Sequence, residues 1–554
     1  MKSTIPKEKI ALHLNTDILL TGETIFYKLF CLLEGANTQS GISKMAYVEL
    51  IGSEKNSLFR HKLKLSNGLS NGHFFIPANV KTGHYKLVGY TQWMKNNPKN
   101  RFVQKDVYIL NPYVESSNLQ SGISEENNLG IVQIKKTGNK NLVTNASQSL
   151  SLKTDSEVYR PRNKVALKIN NLLGVSGYGN YSLSVRKLDD AEVETKQNDA
   201  LKNGVNTNSS FYLPELRGEI LSGHVVSKGN DMVAANKIIA LSILGKNYVY
   251  KNVMTDEFGR FYFNVYESYT NSNAVLQLLD ANNENFKIIL DDKLFNYFEA
   301  LKFKKIHLNE NIKDWLVRKS IANQIENAYN SSKLDSTIYR NPAKSFYGKP
   351  TITYKLDDYK RFPTIRETFV EVIEGAGIRE GKEGYSFKVY YHEDFDTNPF
   401  SGFEPLVLVD GLMIKDNQRI IDFSPYKIED ISYAQGIHFY GPSIFNGIID
   451  FRTKNGDFYV PTNGDGLNDF ELDIPQENKK YYHPNYDKEA AILKRIPDYR
   501  HQLLWKPDIA LKSNMGSLEF YTSDVEGVYE MVLEGYTLNG NYINSKGYFE
   551  VKHH

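Results

Sequence analysis

The sequence predicts a mainly β, multi-domain protein made of several antiparallel β-sandwiches and one small α+β unit. Three observations predict it. The 37 Tyr and 29 Phe among 554 residues favour strands and sheet faces over helices. Short runs such as Tyr181-Ser182-Leu183-Ser184-Val185-Arg186 alternate apolar and polar side chains with period two. Pairs such as Asn67-Gly68, Asn71-Gly72 and Thr82-Gly83 punctuate those runs with turn chemistry.

Composition narrows the function classes. With 67 basic and 65 acidic residues the net charge is +2, so bulk electrostatics favours neither nucleic acid nor a membrane surface as partner. The lone Cys31, inside Leu29-Phe30-Cys31-Leu32-Leu33, has no partner for an internal disulfide and excludes a zinc site of several cysteines; a buried thiol is expected. No run approaches 18 apolar residues, so no membrane-spanning helix is expected. Met1–Lys9 lacks the apolar centre of a signal peptide, so the signal of an exported protein would lie outside this sequence.

In chain order, residues 1–113 read as one sandwich, with Leu19 to Tyr27 and Tyr47 to Leu50 as strands. The polar stretch 114–130, ending ESSNLQSGISEENNLG, reads as a linker. Residues 131–190 read as a second sandwich, 191–215 as an Asn-rich linker and 216–305 as a third sandwich. Within the third, the expected strands are Gly218 to Val226, Lys237 to Ile243, Lys246 to Thr255 and Phe261 to Val265. A helical connector occupies 306–346. There Ile312, Trp315, Leu316, Lys319, Ile321, Ile325 and Ala328 recur at helical spacing behind a candidate cap, Asn309. A small α+β unit covers 347–456, with a helix at Thr364 to Ile373 and a strand at Tyr385 to Tyr391; a linker at 457–499 and a last sandwich at 500–554 complete the chain.

Several segments resemble known families. The pattern His13 to Asp17, Thr21-Gly22-Glu23, Gly83-His84-Tyr85-Lys86-Leu87 and Tyr90 to Met94 resembles macroglobulin-type sandwiches of bacterial envelope proteins. So does Thr154 to Pro161 followed by Val165 to Ile169. The turn Asp256-Glu257-Phe258-Gly259-Arg260-Phe261 resembles a feature of carboxypeptidase-regulatory, Ig-like modules. Most specific are Val409-Asp410-Gly411, Ile428-Glu429-Asp430-Ile431, Tyr440-Gly441, Asn446-Gly447-Ile448-Ile449 and Thr453-Lys454. Together they resemble the plug domain of TonB-dependent outer-membrane receptors. The resemblance implies central strands at Leu406 to Val409 and Ile448 to Phe451, with Asp410 holding a turn. Such a receptor continues into a barrel of roughly 22 strands of about 10 residues, whereas Asn455 to His554 follow here. The unit is therefore expected either to plug a separate outer-membrane β-barrel or to have been reused as an ordinary interaction domain.

No HExxH, G-x-S-x-G or Walker loop occurs, and Gly177-Tyr178-Gly179 lacks the third glycine of a dinucleotide loop. A non-catalytic protein with no cofactor is expected. The one candidate cation loop, Asn463 to Asp469 with Asp465 and Asp469, has oxygen donors suited to calcium but lacks the distal Glu of an EF-hand; a solvated acidic turn is the preferred reading. Candidate partner-binding residues are His438, Phe439, Tyr440, Ile444 and Phe445 around Gly441-Pro442, because one turn cannot bury all of them and exposed aromatics concentrate at interfaces. The expected location is the periplasm, in contact with the outer membrane through a protein partner, in a role resembling plug components of the type 9 secretion translocon. An accessory role in TonB-dependent uptake and an enzyme without a recognisable motif are the alternatives.

Overall fold

The computed structural model describes residues 6–96, 102–113, 131–137, 149–194, 211–280, 283–291, 301–338, 345–381, 384–390, 402–458, 467–488, 493 and 495–553. The chain divides into one unit of residues 1–216, 295–339 and 476–554, and a second of 217–294 and 340–475. Both are mainly β, as expected.

The first unit begins with a sandwich. Strands Glu8–Leu14, Thr24–Leu33 and Leu69–Phe75 form one sheet; Ile18–Leu20, Val103–Leu110, Gly83–Tyr90, Met45–Ile51 and Ser57–Lys64 form the other. Their inward residues make one core that contains Cys31, fully buried. The single strand expected from Leu19 to Tyr27 is split at Thr21-Gly22, where Gly22 has φ 86°. Asn67-Gly68 turns as expected, both at positive φ. Asn71-Gly72 does not turn but lies within a strand, where a Cβ on Gly72 would sit 2.2 Å from Tyr27 Oη. There the glycine serves close packing rather than chain reversal.

The second sandwich corrects the expected domain order. Residues 131–190 and 500–554 are expected as two sandwiches, but 149–188 and 502–551 build one. Leu150–Thr154, Lys164–Asn171 and Met515–Tyr521 form its first sheet. Val158–Tyr159, Tyr542–Val551, Gly527–Thr537, Gly179–Lys187 and Gln502–Leu511 form its second. Val165, Leu167, Tyr181 and Leu183 share a core with Leu504, Phe520, Leu533 and Phe549. Alternation identifies a strand's buried face but not its partner, and neither segment alone has strands enough to cover both faces.

Ile131–Lys136 joins a separate small sheet instead, antiparallel to Ala191–Glu194 and parallel to Lys305–Leu308. Thus part of the expected linker 191–215 is strand. The helix Lys313–Ala328 adds Trp315 to that sheet's core beside Val132 and Ile134. Asn309 caps the preceding 3-10 turn by accepting from Asn311 N at 3.1 Å. The buried face of the helix is narrower than its spacing implied: Trp315, Lys319, Ser320 and Ala322 are buried, while Ile321 is 52% exposed.

In the second unit, Glu219–Ser227 pairs with Arg260–Val265 and Phe286–Leu290. The facing sheet runs Val249–Met254, Ile238–Ile243, Asn273–Leu278, Leu467–Glu471. The four expected strands are all present. The last strand of that sheet lies in the segment read as a linker, 457–499, and pairs with Asn273–Leu278. At the Asp256 turn, Asp256 Oδ1 accepts from Phe258 N and Arg260 N at 2.9 and 2.8 Å, with Gly259 at φ 69°.

The α+β part of this unit is a mixed sheet in the order Ile352–Lys355, Ile428–Tyr440, Ser443–Thr453, Leu406–Val409, Leu412–Met413. Leu406, Val407, Leu408 and Val409 run parallel to Ile448, Ile449, Asp450 and Phe451. Both runs are buried on both faces, which is why they read as nearly continuous apolar sequence. The helix Ile365–Glu371 is capped by Thr364, whose side chain accepts from Glu367 N at 3.1 Å. It buries Ile365 and Phe369 against the sheet but leaves Val370 80% exposed. A hairpin, Ala376–Gly381 with Gly384–Val389, follows.

Candidate functional site

The candidate partner-binding residues form the tip of the long hairpin. His438 pairs with Phe445, Phe439 with Ile444 and Tyr440 with Ser443, and Gly441 turns the chain at φ 55°. Cross-strand partners share a face, so His438, Tyr440 and Phe445 point one way and Phe439 and Ile444 the other. The first face packs inward. Phe445 is 7% exposed in a cluster with Ala240, Tyr250, Leu406, Leu408 and Ile448. Tyr440 Oη donates to the Tyr250 carbonyl at 2.8 Å, and its ring lies 4.5 Å from that of Phe346.

The tip also abuts strand Val249–Met254: a Cβ on Gly441 would stand 2.2 Å from Asn252 Oδ1. Phe445 and Tyr440 therefore pack within the second unit, so of the five candidates the tip buries some and exposes others. Phe439 is 69% exposed and Ile444 half-buried on the opposite face. The physical reason is the period of two: five large side chains on two antiparallel strands divide between both faces of the sheet.

Asp410 does what the resemblance implied. With Gly411 it forms a two-residue turn between Leu406–Val409 and Leu412–Met413, at φ 47° and 87°, the conformation that favours Asp-Gly. Its carboxylate is fully buried. Oδ1 accepts from Thr453 N at 2.9 Å, and Oδ2 from Thr453 Oγ1 at 2.6 Å and Phe458 N at 2.9 Å.

A neighbouring group escaped the sequence reading. Asp450, also fully buried, accepts from Tyr248 Oη at 2.8 Å and Tyr347 Oη at 2.9 Å, both at Oδ2. The signal was present: an acid inside Ile448-Ile449-Asp450-Phe451 interrupts a run that otherwise reads as core.

In the first unit a polar cleft of about 190 Å³ is lined by Asn15, Glu23, Arg186, Asn323, Asn327 and Gln502 among others. Its amides are already engaged. Asn323 and Asn327 donate to the carbonyls of Thr21 and Gly22 at 2.9 and 3.1 Å, and Gln502 to that of Val185 at 3.2 Å. Beneath it Lys319, 2% exposed, lies 3.2 Å from Glu23 and 3.1 Å from Asp189, while Arg186 lies 3.0 Å from Asp189. The cleft is a hydrogen-bonded joint between helix and sheets.

Among the described residues two serine–histidine juxtapositions stand out. His13 Nδ1 is 2.6 Å from Ser182 Oγ, but both residues are sealed in the interior. Ser222 Oγ donates to Asp291 at 2.6 Å, and His224 stands 4.0 Å from that same carboxylate; a nucleophile activated by a base needs the histidine on the serine instead. Among the described residues no group of three or more His, Cys, Asp or Glu is placed to hold a metal ion. Asp465 of the candidate calcium loop lies outside the described residues, and Asp469 is an exposed position of strand Leu467–Glu471.

No protein-family model matches the chain, and no curated protein matches it. Among solved structures it is similar to trypsin-activated α2-macroglobulin from Escherichia coli, with 11% identity over 98% of this chain and 41% of that one at a TM-score of 0.25. Methylamine-reacted α2-macroglobulin from Salmonella gives 9% identity, 98% and 39% coverage and 0.24. Dimeric latent PorU from Porphyromonas gingivalis gives 10% identity, 55% and 34% coverage and 0.16. The chain spans about two fifths of the length of the macroglobulin structures. Superpositions at these scores carry no argument about function; the β-sandwich architecture rests on the sheets themselves.

Proposed function

We propose that this chain is a non-catalytic protein of the bacterial envelope that binds the periplasmic side of a separate outer-membrane β-barrel through its plug-like sheet, in the service of protein secretion. The role is that of plug components of the type 9 secretion translocon. The observation that supports the reading most is the way the resembling motifs come together. Val409-Asp410-Gly411 closes one central strand, Tyr440-Gly441 and Asn446-Gly447 flank the tip of the long hairpin, and Thr453 returns to bond Asp410. Five motifs scattered over about fifty residues of sequence thus serve one sheet.

The sandwich of the second unit acts in this reading as the scaffold that presents the sheet, and Phe439 at the hairpin tip, 69% exposed, is the contact residue it favours. Aromatic side chains, phenylalanine among them, are enriched at protein interfaces. The experiment is cell fractionation followed by co-purification from solubilised outer membrane. A periplasmic chain that brings down an outer-membrane barrel supports the proposal, whereas a wholly cytoplasmic chain ends it.

A further inference from the structure

Asp450 stands where the plug-like sheet meets the sandwich of the second unit. Tyr248 precedes strand Val249–Met254 of that sandwich, and Tyr347 precedes Ile352–Lys355 of the sheet. Both hydroxyls donate to the same carboxylate oxygen. The other, Oδ1, is buried without a hydrogen-bond partner. So are Asp430 Oδ1 and Arg452 Nε on the adjacent, directly paired positions of the hairpin. Arg452 Nη2 lies 3.8 Å from Asp450, too far for a hydrogen bond. At the rim of the seam Lys246 and Glu429 form an exposed ion pair at 2.8 Å.

An ionised carboxylate in such a place is served by two donors on one oxygen and none on the other, a costly way to bury a charge. Around it the seam is apolar, with Ala240 and Tyr250 packed on Leu406, Leu408, Phe445 and Ile448. Tyr248 also covers Gly411, where a Cβ would meet its side chain at 2.3 Å. One side chain therefore touches both the Asp410-Gly411 turn and the buried acid.

We propose that Asp450 is a proton-controlled latch: neutral, it closes the seam between plug-like sheet and sandwich, and ionised, it loosens that seam and uncovers the apolar faces beneath. Burial pushes the carboxyl up to about 6, against the opposing pull of Arg452 and the two tyrosine hydroxyls, with Asp430 adding to the rise. Asp430 is itself shifted upward by burial. Because the raised group binds its proton more tightly in the closed state, the stabilisation is complete below about pH 4, the ordinary carboxyl value, and is lost as pH rises through 6. The inference does not depend on the barrel reading.

The test is amide hydrogen exchange of the full chain at pH 5 and pH 8, corrected for intrinsic exchange, in peptides covering Tyr248 to Tyr250 and Ile448 to Arg452. Protection should fall by on the order of tenfold or more at pH 8. Asp450→Asn should remove most of that difference, leaving only what Asp430 contributes. Tyr248→Phe, which removes a donor from the ionised form, should move the loss to a higher pH midpoint but open the seam further above it. Equal protection in the parent at both pH values would overturn the latch, as would a pH response that Asp450→Asn leaves undiminished. Should that variant not fold, the side-chain carboxyl carbon of Asp450 in the parent decides by NMR. Titration near 6 supports the latch, and titration near the ordinary value of about 4 refutes it.

Discussion

Asp410 and Thr453 are joined twice: the Thr453 amide and hydroxyl both donate to the Asp410 carboxylate, at 2.9 and 2.6 Å. The end of one central strand is thereby fixed to the end of its parallel neighbour. A third donor, Phe458 N, completes the set. Asp410→Ala leaves three buried donors without their acceptor and places alanine at φ 47°. It should cost about 3 kcal/mol or more, and Asp410→Asn, which tolerates the backbone, should cost less. Urea unfolding of the second unit, followed by tyrosine signal or backbone exchange, checks the order.

The two units have separate optical reporters. All three tryptophans, Trp93, Trp315 and Trp505, belong to the first unit. Val407→Asp or Ile449→Asp puts a charge at a position 2% or less exposed in the sheet core and should unfold the second unit, by about 4 kcal/mol or more. The tryptophan emission should stay native. Parental melting of the sheet in both variants would refute the assignment of these strands as its centre.

Leu183 and Leu533 sit opposite each other in paired strands, both fully buried. If 149–188 and 502–551 form one sandwich, Leu183→Ala and Leu533→Ala should each cost about 2–5 kcal/mol. A double-mutant cycle should then give a coupling of about 0.5 kcal/mol or more. Additive costs would mean two independent domains.

How far the sequence leads is instructive in this pair. Tyr181 to Arg186 was legible as a strand because alternation is local, yet its partners lie more than 300 residues on, and no local property encodes them. The mixed sheet of the second unit was more legible because its strands, its Asp-Gly turn and its capped helix are marked by local chemistry. At the hairpin tip the same period of two was available, but which face another sheet would cover was not, so Phe445, which is buried, and Phe439, which is exposed, could not be told apart. Tyr440→Ala and Phe445→Ala should accordingly lower the melting temperature of the second unit, and Phe439→Ala should not.

Acid should act on the first unit in the opposite sense to the latch. Burial holds His61 and His73 down at about 4, and His13 and His501 at about 3. A depressed histidine favours the neutral form in the fold, so its contribution is complete above the unfolded value of about 6.5 and is lost as pH falls toward 4. Between pH 7 and 4.5 the tryptophan-detected unfolding free energy should drop by on the order of several kcal/mol. The His13 and Trp505 rings are 5.3 Å apart, and His13→Phe should reduce that drop. A first unit equally stable at both pH values would contradict the assignment.

The most direct measurement of the barrel proposal is site-specific photo-crosslinking in the native cell. A photoreactive phenylalanine analogue replaces Phe439, 69% exposed at the hairpin tip, or for comparison Val175, 76% exposed in the first unit. The account predicts a crosslink from position 439 to an outer-membrane β-barrel protein and none to that barrel from position 175. A folded, envelope-located chain whose position 439 never reaches a barrel protein would contradict it.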